Sequence, residues 1–400
     1  MTAPASQIVL FTELFPPAVG GSAVLLHGIY SRVRTADVVV LTDPSMSRSA
    51  SPTLDGMGIT YHSLPTWRGG VAHWRALRYH MHSAHGLRRL ARRTHTVVHC
   101  SRAIPEGVGA LLARLTGGPS YACWAHGEEL ATALTSRELT AATSAVYRFA
   151  DAAFANSRNT ASLLGRFGVP AHKIHVVHPA VDAARFRPDV DGRHIRARFA
   201  GPDDIVLLTV GRLQRRKGHD IALQALARLA PQMPQLRYVI AGDGEEREHL
   251  ERLASELGLR GHVFFAGTIA DADLPSYYAA CDAFLMPNRN DNGDIEGFGI
   301  VFLEAAATGR PAIGGNSGGV PEAIEDQVTG VLVDGASVDS VCHAIRRLAA
   351  DPAGRERMGA AARRRAQNDF SWQRAASLVS DVQRRLVTAD RFAPRWSVVP

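Results

Sequence analysis

Lysine is almost missing from this chain of 400 residues. Lys and Arg together number 45, yet only Lys173 and Lys217 are lysines. Cysteine is sparse too. Cys100, Cys123, Cys281 and Cys342 stand far apart with no C-x-x-C pair, which excludes a disulfide framework and the usual metal-ligand spacing. No apolar run reaches the roughly 18 residues that a membrane span needs. Met1 to Glu13 lacks the basic start of a secretory signal. A cytoplasmic location is expected, which leaves room for peripheral attachment to the inner face of the plasma membrane. Acid is missing from one stretch: none lies between Asp55 and Glu106, where eight Arg and seven His do. Residues 1–180 hold 17 Lys and Arg against 9 Asp and Glu, and residues 181–400 hold 28 against 29. The net charge of +7 therefore sits in the first half. With 46% hydrophobic and 21% charged residues, wholesale disorder is excluded. The length suits two or three domains.

Short apolar runs alternate with stretches of helical period along the chain. Six lie in the first half, from Ile8–Thr12 to Ile174–His178, and six in the second, from Ile205–Val210 to Val331–Val333. Continuous runs of this length read as buried parallel strands, and their alternation with helices reads as βαβ units. The expected fold class is α/β, with two Rossmann-like doubly wound domains. We place the first at residues 1–182, a linker at 183–204, the second domain at 205–370 and a C-terminal helical segment at 371–400. Such domains put their strand C-termini toward a shared cleft, so the residues after each strand matter most.

The first strand is followed by Pro16-Pro17 and then Gly20-Gly21 before a helix. A glycine pair there suits either a tight turn or an anion at the helix N-terminus. The run Tyr121–His126 leads into Gly127, its His126 a ligand contact or a satisfied histidine. The seventh run leads into Gly211-Arg212 and on to Lys217-Gly218. An Arg fork and a Lys point charge suit a diphosphate; a solvated basic turn is the bland alternative. Lysine is so rare here that its use at this turn favours phosphate contact. Gly242-Asp-Gly244 follows the next strand but lacks the full dinucleotide fingerprint. The sharpest pattern is Glu296-Gly297-Phe298-Gly299-Ile300-Val301, ending in Glu304. Its two carboxylates stand eight residues apart, a little over two helical turns, on one side of a helix. The glycine loop offers N–H donors, and the acids accept bonds from hydroxyls. Basic groups for phosphate beside acids for hydroxyls describe a nucleotide-sugar site. Capping could account for Glu296, but not for Glu304 inside an apolar run.

Taken together, these motifs resemble the family-4 retaining glycosyltransferases of GT-B fold, which have two facing Rossmann-like domains. The resemblance spans nearly the whole chain. It includes Gly20-Gly21, His126-Gly127, Ala155-Asn156-Ser157, Gly211-Arg212 with Lys217-Gly218, and Gly242-Asp-Gly244. The two glutamates, Glu296 and Glu304, and Ser317-Gly-Gly-Val-Pro-Glu322 complete it. Where the family often reads Asn-Gly-Val-Asp, this chain has Pro179-Ala180-Val181-Asp182. The resemblance implies catalytic roles for Arg212, Lys217, His126 and Glu296, with Arg212 and Lys217 on the donor diphosphate. It implies donor contacts from Gly20, Gly21, Gly211, Gly242, Gly244, Gly297, Phe298, Gly299, Ile300 and Val301, with Glu304 on the ribose. It also implies a C-terminal helix returning to the first domain, transfer with retention, and neither cofactor nor metal. The partners it implies are a nucleotide diphosphate sugar and a glycan or lipid-linked acceptor.

The acid-free stretch bears on the acceptor. Arg75, Arg78, His82, His85, Arg89 and Arg92 step by three and four, making one basic stripe, with Leu77, Met81, Ala84 and Ala91 on a neighbouring face and Trp74 beside them. A solvated Arg-rich face is one reading. The other is a surface for anionic lipid or a phosphorylated acceptor, and we assign Arg75, Arg78, Arg89 and Arg92 to it. Members of the family that mannosylate phosphatidylinositol-type lipids share the Asp294–Ala305 pattern, which leans the donor toward GDP-mannose. The alternatives are a UDP-sugar-dependent transferase acting on a small molecule or polysaccharide, or a sugar-nucleotide epimerase of the same fold. Nucleic acid is not an expected partner, because the basic stretch has few aromatics to stack bases.

Overall fold

A computed structural model of the chain describes residues 6–16, 20–42, 74–90 and 95–392. Ala91 and Arg92 lie outside them. The chain divides into two compact units, one running to His178 and resuming at Trp372, the other spanning Pro179–Ser371.

The first unit holds strands β1 (Ser6–Phe11), β2 (Asp37–Leu41), β3 (His95–Cys100), β4 (Ser120–Ala125), β5 (Ala152–Ala155) and β6 (Ile174–Val176). Around them lie α1 (Gly21–Tyr30), α2 (Trp74–Leu90), α3 (Val108–Leu115), α4 (Glu128–Ala133), α5 (Arg137–Phe149) and α6 (Arg158–Arg166). The sheet is parallel, in the order β2-β1-β3-β4-β5-β6. Strands buried on both faces need continuous apolar runs, and Ile8 to Phe11 are at most 1% exposed.

The second unit opens at Pro179, short of the expected end of the first domain at 182, and takes in residues 183–204, which were expected to link the domains. They are packed into it: Phe186 and Ile195 belong to its core, and Arg196 on α7 (Arg193–Arg196) pairs with Asp282 at 3.0 Å. There follow β7 (Ile205–Val210), α8 (His219–Leu229), β8 (Leu236–Ala241), α9 (Arg247–Glu256) and β9 (Val263–Gly267). After α10 (Leu274–Ala280) come β10 (Ala283–Met286), α11 (Ile300–Ala307), β11 (Ala312–Gly315), α12 (Val320–Ala323) and β12 (Gly330–Val333). Helices α13 (Val338–Ala350) and α14 (Pro352–Asp369) close the unit. The order β12-β11-β10-β7-β8-β9 is that of a Rossmann sheet. All twelve apolar runs of the sequence are strands, with ends moved by a residue or two.

Helix α15 (Trp372–Phe392) returns to the first unit and packs on α1 and β3. Gly28 makes room for it, since a Cβ there would lie 2.5 Å from the Trp372 ring. Gln383 is fully buried, its Oε1 3.1 Å from Nε2 of His99 and its amide donating to the Gln7 carbonyl at 3.3 Å. No helix among the described residues is long and apolar enough to cross a membrane.

Candidate functional site

Open α/β sheets bind ligands beyond the strand C-termini where the strand order reverses. In the second unit the reversal falls between β7 and β10. The segments leaving those strands are Gly211–Gly218 and Pro287–Gly299, which hold most of the residues expected at a donor site.

Their side chains are tied together. Nζ of Lys217 meets Oε2 of Glu296, and Nη1 of Arg216 donates to the same oxygen at 2.9 Å. The side chains of Arg216, Lys217 and Glu296 are only 7%, 10% and 12% exposed. Burial alone would push the Glu296 carboxyl up, but the Lys217 and Arg216 charges outweigh it and hold the carboxyl below its ordinary range. Arg212 instead is exposed.

The backbone geometry explains the glycines. Gly242 (φ 141°) lies so close to the loop after β7 that a Cβ would fall 1.9 Å from the Gly211 carbonyl oxygen, and one on Gly244 would fall 2.5 Å from that of Leu213. These two glycines thus carry the Arg212 loop. Likewise Cβ atoms on Gly318 and Gly319 would lie 2.1 Å from the carbonyl oxygens of Glu296 and Gly297. The second glycine loop therefore holds the Glu296 loop in place, and the Gly319 N–H donates to the Glu296 carbonyl at 2.9 Å.

Gly299 (φ 86°) begins α11 without a side-chain cap, so the first N–H groups of the helix, at Ile300 and Val301, present its positive end. Phe298 differs from the expectation. Its side chain is 2% exposed and set edge to face against Phe370 at 5.7 Å, so a donor can meet only its backbone. Just over one turn into α11, Glu304 accepts the Tyr278 hydroxyl at 2.7 Å. Glu296 precedes the helix in the loop, so the two carboxylates do not share a helix face as their spacing suggested. Burial pushes its carboxyl up to about 7, against the pull of Tyr278 and Arg185. The two glutamates are thus tuned in opposite directions.

In the first unit the strand order reverses between β1 and β3. His126 follows β4, the next strand along. Its ring lies parallel to that of Trp124 (9°, centroids 6.3 Å apart), and its Nε2 sits 2.9 Å from the Ser101 carbonyl. A carbonyl only accepts, so Nε2 carries a proton toward it. The backbone N–H of His126 donates to Glu129 Oε1 at 2.6 Å, and Asn156 donates to its carbonyl at 2.9 Å. Gly20 (φ 149°) caps α1, with no atom of the described residues within 4 Å of where a Cβ would sit, and Gly21 is the helix's first residue.

Sequence reasoning missed Arg216, Tyr278 and a buried cluster beside His126. In that cluster Glu106, with no exposed surface, accepts from the Ser101 hydroxyl at 2.8 Å, from Arg102 Nε at 3.0 Å and from the Glu13 N–H at 3.0 Å. Arg102 also reaches Glu13 at 2.6 Å. Only Arg216 had a sequence signal, its place next to Lys217.

Helix α2 needs one correction. Arg75, Arg78, His82, His85 and Arg89 are exposed, as a stripe requires. The expected apolar face is split, however. Ala84 is buried, while Trp74, Leu77 and Met81 are 61%, 55% and 61% exposed. At 100° per residue these three fall between the basic stripe and the buried face, which consists of Ala76, Tyr79, His80, Ser83, Ala84 and Leu87. That face packs on α3, where Gly109 admits Ser83. The room beneath the helix is taken by these residues, so the larger apolar side chains stay outside.

Comparison with known proteins bears on both units. The family model described as Glycosyltransferase Family 4 matches residues 19–185, and that described as Glycosyl transferases group 1 matches residues 193–365. A GDP-mannose-dependent alpha-(1-6)-phosphatidylinositol monomannoside mannosyltransferase of Mycolicibacterium smegmatis is 36% identical over 286 residues, covering 70% of this chain and 74% of that protein. A D-inositol 3-phosphate glycosyltransferase of Streptomyces avermitilis is 37% identical over 254 residues, 60% of this chain and 53% of that one. Among solved structures, sucrose-phosphate synthase from Thermosynechococcus elongatus superposes with a TM-score of 0.80 at 22% identity, over 96% of this chain and 100% of the other. Anabaena HepE, solved with UDP and glucose, gives 0.76 at 20% identity, over 94% and 98%. These two share the fold.

Proposed function

The chain belongs to glycosyltransferase family 4, and on that premise we propose that it is a retaining hexosyltransferase moving mannose from GDP-mannose to a hydroxyl of an inositol-containing, lipid-linked acceptor. The observation that carries the reading is the buried pairing of Lys217 and Arg216 with Glu296 at the N-terminus of α11, with Glu304 eight residues on. Lys217 with Arg212 nearby in the same loop, an uncapped helix end and two carboxylates match a diphosphate flanked by a sugar and a ribose. The choice of GDP-mannose and of an inositol lipid is supported by the names of the relatives at 36% identity.

In the reaction the bond from the anomeric carbon to the β-phosphate oxygen breaks as the acceptor oxygen bonds to that carbon on the same face. The acceptor's proton passes to the leaving phosphate. Negative charge grows on that phosphate, so Lys217, Arg212 and the N–H groups of Ile300 and Val301 stabilise the transition state more than the ground state. With two side-chain cations on the diphosphate, no metal is needed. Glu304 holds the ribose and Glu296 the transferred sugar. In the first unit, His126 offers its ring to a sugar hydroxyl, and Gly20 with Gly21 leaves room for a phosphate at the start of α1. The ridge of Trp74, Leu77 and Met81 beside the arginines of α2 suits an anionic membrane, with apolar side chains at the headgroup boundary and cations on the lipid phosphates.

A thermal-shift screen against GDP-, UDP- and ADP-sugars, followed by anomeric NMR of the product with chelator present, tests the reading. Stabilisation by GDP-mannose and an α-linked product in the presence of chelator are expected. A shift with UDP- or ADP-sugars only, an inverted anomer, or loss of turnover with chelator would overturn the corresponding part.

A further inference from the structure

Among the basic residues that follow β7, Arg216 is the least exposed, at 6%. Its guanidinium engages three groups at once. Nη1 donates to Oε2 of Glu296 at 2.9 Å, Nη2 donates to Oε1 of Gln214 at 2.9 Å, and Nε faces Oδ1 of Asp294 at 3.1 Å. The Arg216 carbonyl accepts the Arg289 N–H at 2.8 Å, and Arg289 in turn grips Asp220 through two bonds of 2.8 and 3.0 Å. A planar fork held by two hydrogen bonds and faced by a third acceptor group resists swinging away. Lys217 is built differently, a point charge on a flexible stem.

Both cations converge on Oε2 of Glu296. When a donor diphosphate draws Lys217 to itself, Glu296 loses one of its two counter-charges just as an anion arrives nearby. A buried carboxylate left without a partner protonates or shifts. We propose that Arg216 is a positioning residue that keeps Glu296 aligned on the donor sugar after Lys217 turns to the diphosphate. The proposal deepens the reading above and rests on it for the roles of Lys217 and Glu296. It divides the basic turn in two, with Lys217 as the charge that moves and Arg216 as the one that stays.

The test compares full-length wild type with Arg216→Gln and Arg216→Lys. Its first readout needs no turnover: carboxyl-carbon NMR of Glu296, assigned with Glu296→Gln, titrated with and without saturating GDP, or with UDP or ADP if one of these gives the larger thermal shift. In the wild type Glu296 should titrate low in both states. In nucleotide-bound Arg216→Gln it should titrate upward by about one pH unit or more, a tenfold or larger change in proton affinity. Arg216→Lys, which keeps charge but not the fork, should fall between. The second readout is the pH–rate profile: kcat should drop on the order of 10²-fold in Arg216→Gln, with the acid limb displaced upward and nucleotide affinity nearly unchanged. An unmoved Glu296 titration in nucleotide-bound Arg216→Gln overturns the proposal. So does a loss of nucleotide binding as large as that of Lys217→Ala, since Arg216 would then be a diphosphate ligand. If Arg216→Gln fails to fold, Arg216→Lys carries both readouts. A titration shift with no turnover of any donor by the wild type would sink the transferase reading and leave the hold of Arg216 on Glu296 standing.

Discussion

The two units handle charge in opposite ways. In the second, three cations around the expected donor site are buried or nearly so and spent on carboxylates, Arg216 and Lys217 on Glu296 and Arg289 on Asp220, while Arg212 is exposed. In the first, the arginines of α2 face solvent beside exposed Trp74, Leu77 and Met81. Burying an ion pair is costly unless the geometry is good, and removing one partner strands the other. Exposed charges cost little and act by number. Single substitutions should therefore be severe in the second unit and graded in the first.

The largest effect belongs to Lys217. Lys217→Ala removes the mobile cation and should lower kcat on the order of 10²–10³-fold. Turnover at the wild-type rate would break the assignment. Glu304 comes next and brings a pH dependence. Its carboxyl is pushed up to about 7 by burial, and the ionised form binds ribose hydroxyls best, so donor affinity should fall as pH drops through that value. The Tyr278 hydroxyl pulls the carboxyl down; Tyr278→Phe should move the affinity midpoint upward, and an unmoved midpoint would count against the pairing. The stability sign follows. A carboxyl whose folded value lies above its unfolded value binds more protons when folded, so stability declines as pH rises from about 4.5 toward 7. Glu304→Gln removes that loss and should be more stable than wild type at pH 8, by on the order of 3 kcal/mol, with the gap closing toward pH 4. Melting curves at the two pH values decide it.

These contrasts also mark what could be read from residues alone. The strands were legible because parallel strands buried on both faces need unbroken apolar runs, and the returning helix because the motifs carried the fold with them. Glu296, Glu304 and Lys217 were legible as motif positions. Arg216 was not, because nothing in Arg215-Arg216-Lys217 says which side chain turns inward; that depends on Asp294 and Glu296, some eighty residues away. Tyr278 was invisible for the same reason. The cluster of Glu13, Arg102 and Glu106 spans two segments that meet only when β1 pairs with β3. On α2 the period showed the basic stripe but not the buried arc, since Ala84 and Leu77 lie within about 20° of each other and only the packing on α3 separates them.

A smaller effect sharpens the first unit's side of the comparison. If α2 lies on anionic membrane, each arginine contributes about 1 kcal/mol, so Arg75→Gln, Arg78→Gln and Arg89→Gln should each weaken binding to phosphatidylserine or phosphatidylinositol vesicles about fivefold. The steps should add, and shrink as salt rises. Trp74→Ser with Met81→Ser should weaken binding with little salt dependence, since that term is apolar. Vesicle co-sedimentation measures both, and equal binding to neutral vesicles would remove the electrostatic part.

The smallest effect tests the argument from lysine scarcity. Lys217 drew attention because the chain has only two lysines, yet Lys173 shows that rarity alone does not imply catalysis. Its Nζ donates to the carbonyls of Arg148 and Ala150 at 3.1 and 2.9 Å, closing the C-terminal end of α5. There a compact ammonium satisfies carbonyls that have no partner within the helix and lies at the negative end of its dipole. Lys173→Met should therefore cost about 1 kcal/mol of stability, seen as a modest fall in melting temperature, and leave kcat and donor affinity at wild-type values. A loss of activity in Lys173→Met without a loss of stability would mean that scarcity marks chemistry at both lysines, and that the division drawn here between a bonded cap and a mobile catalytic charge is wrong.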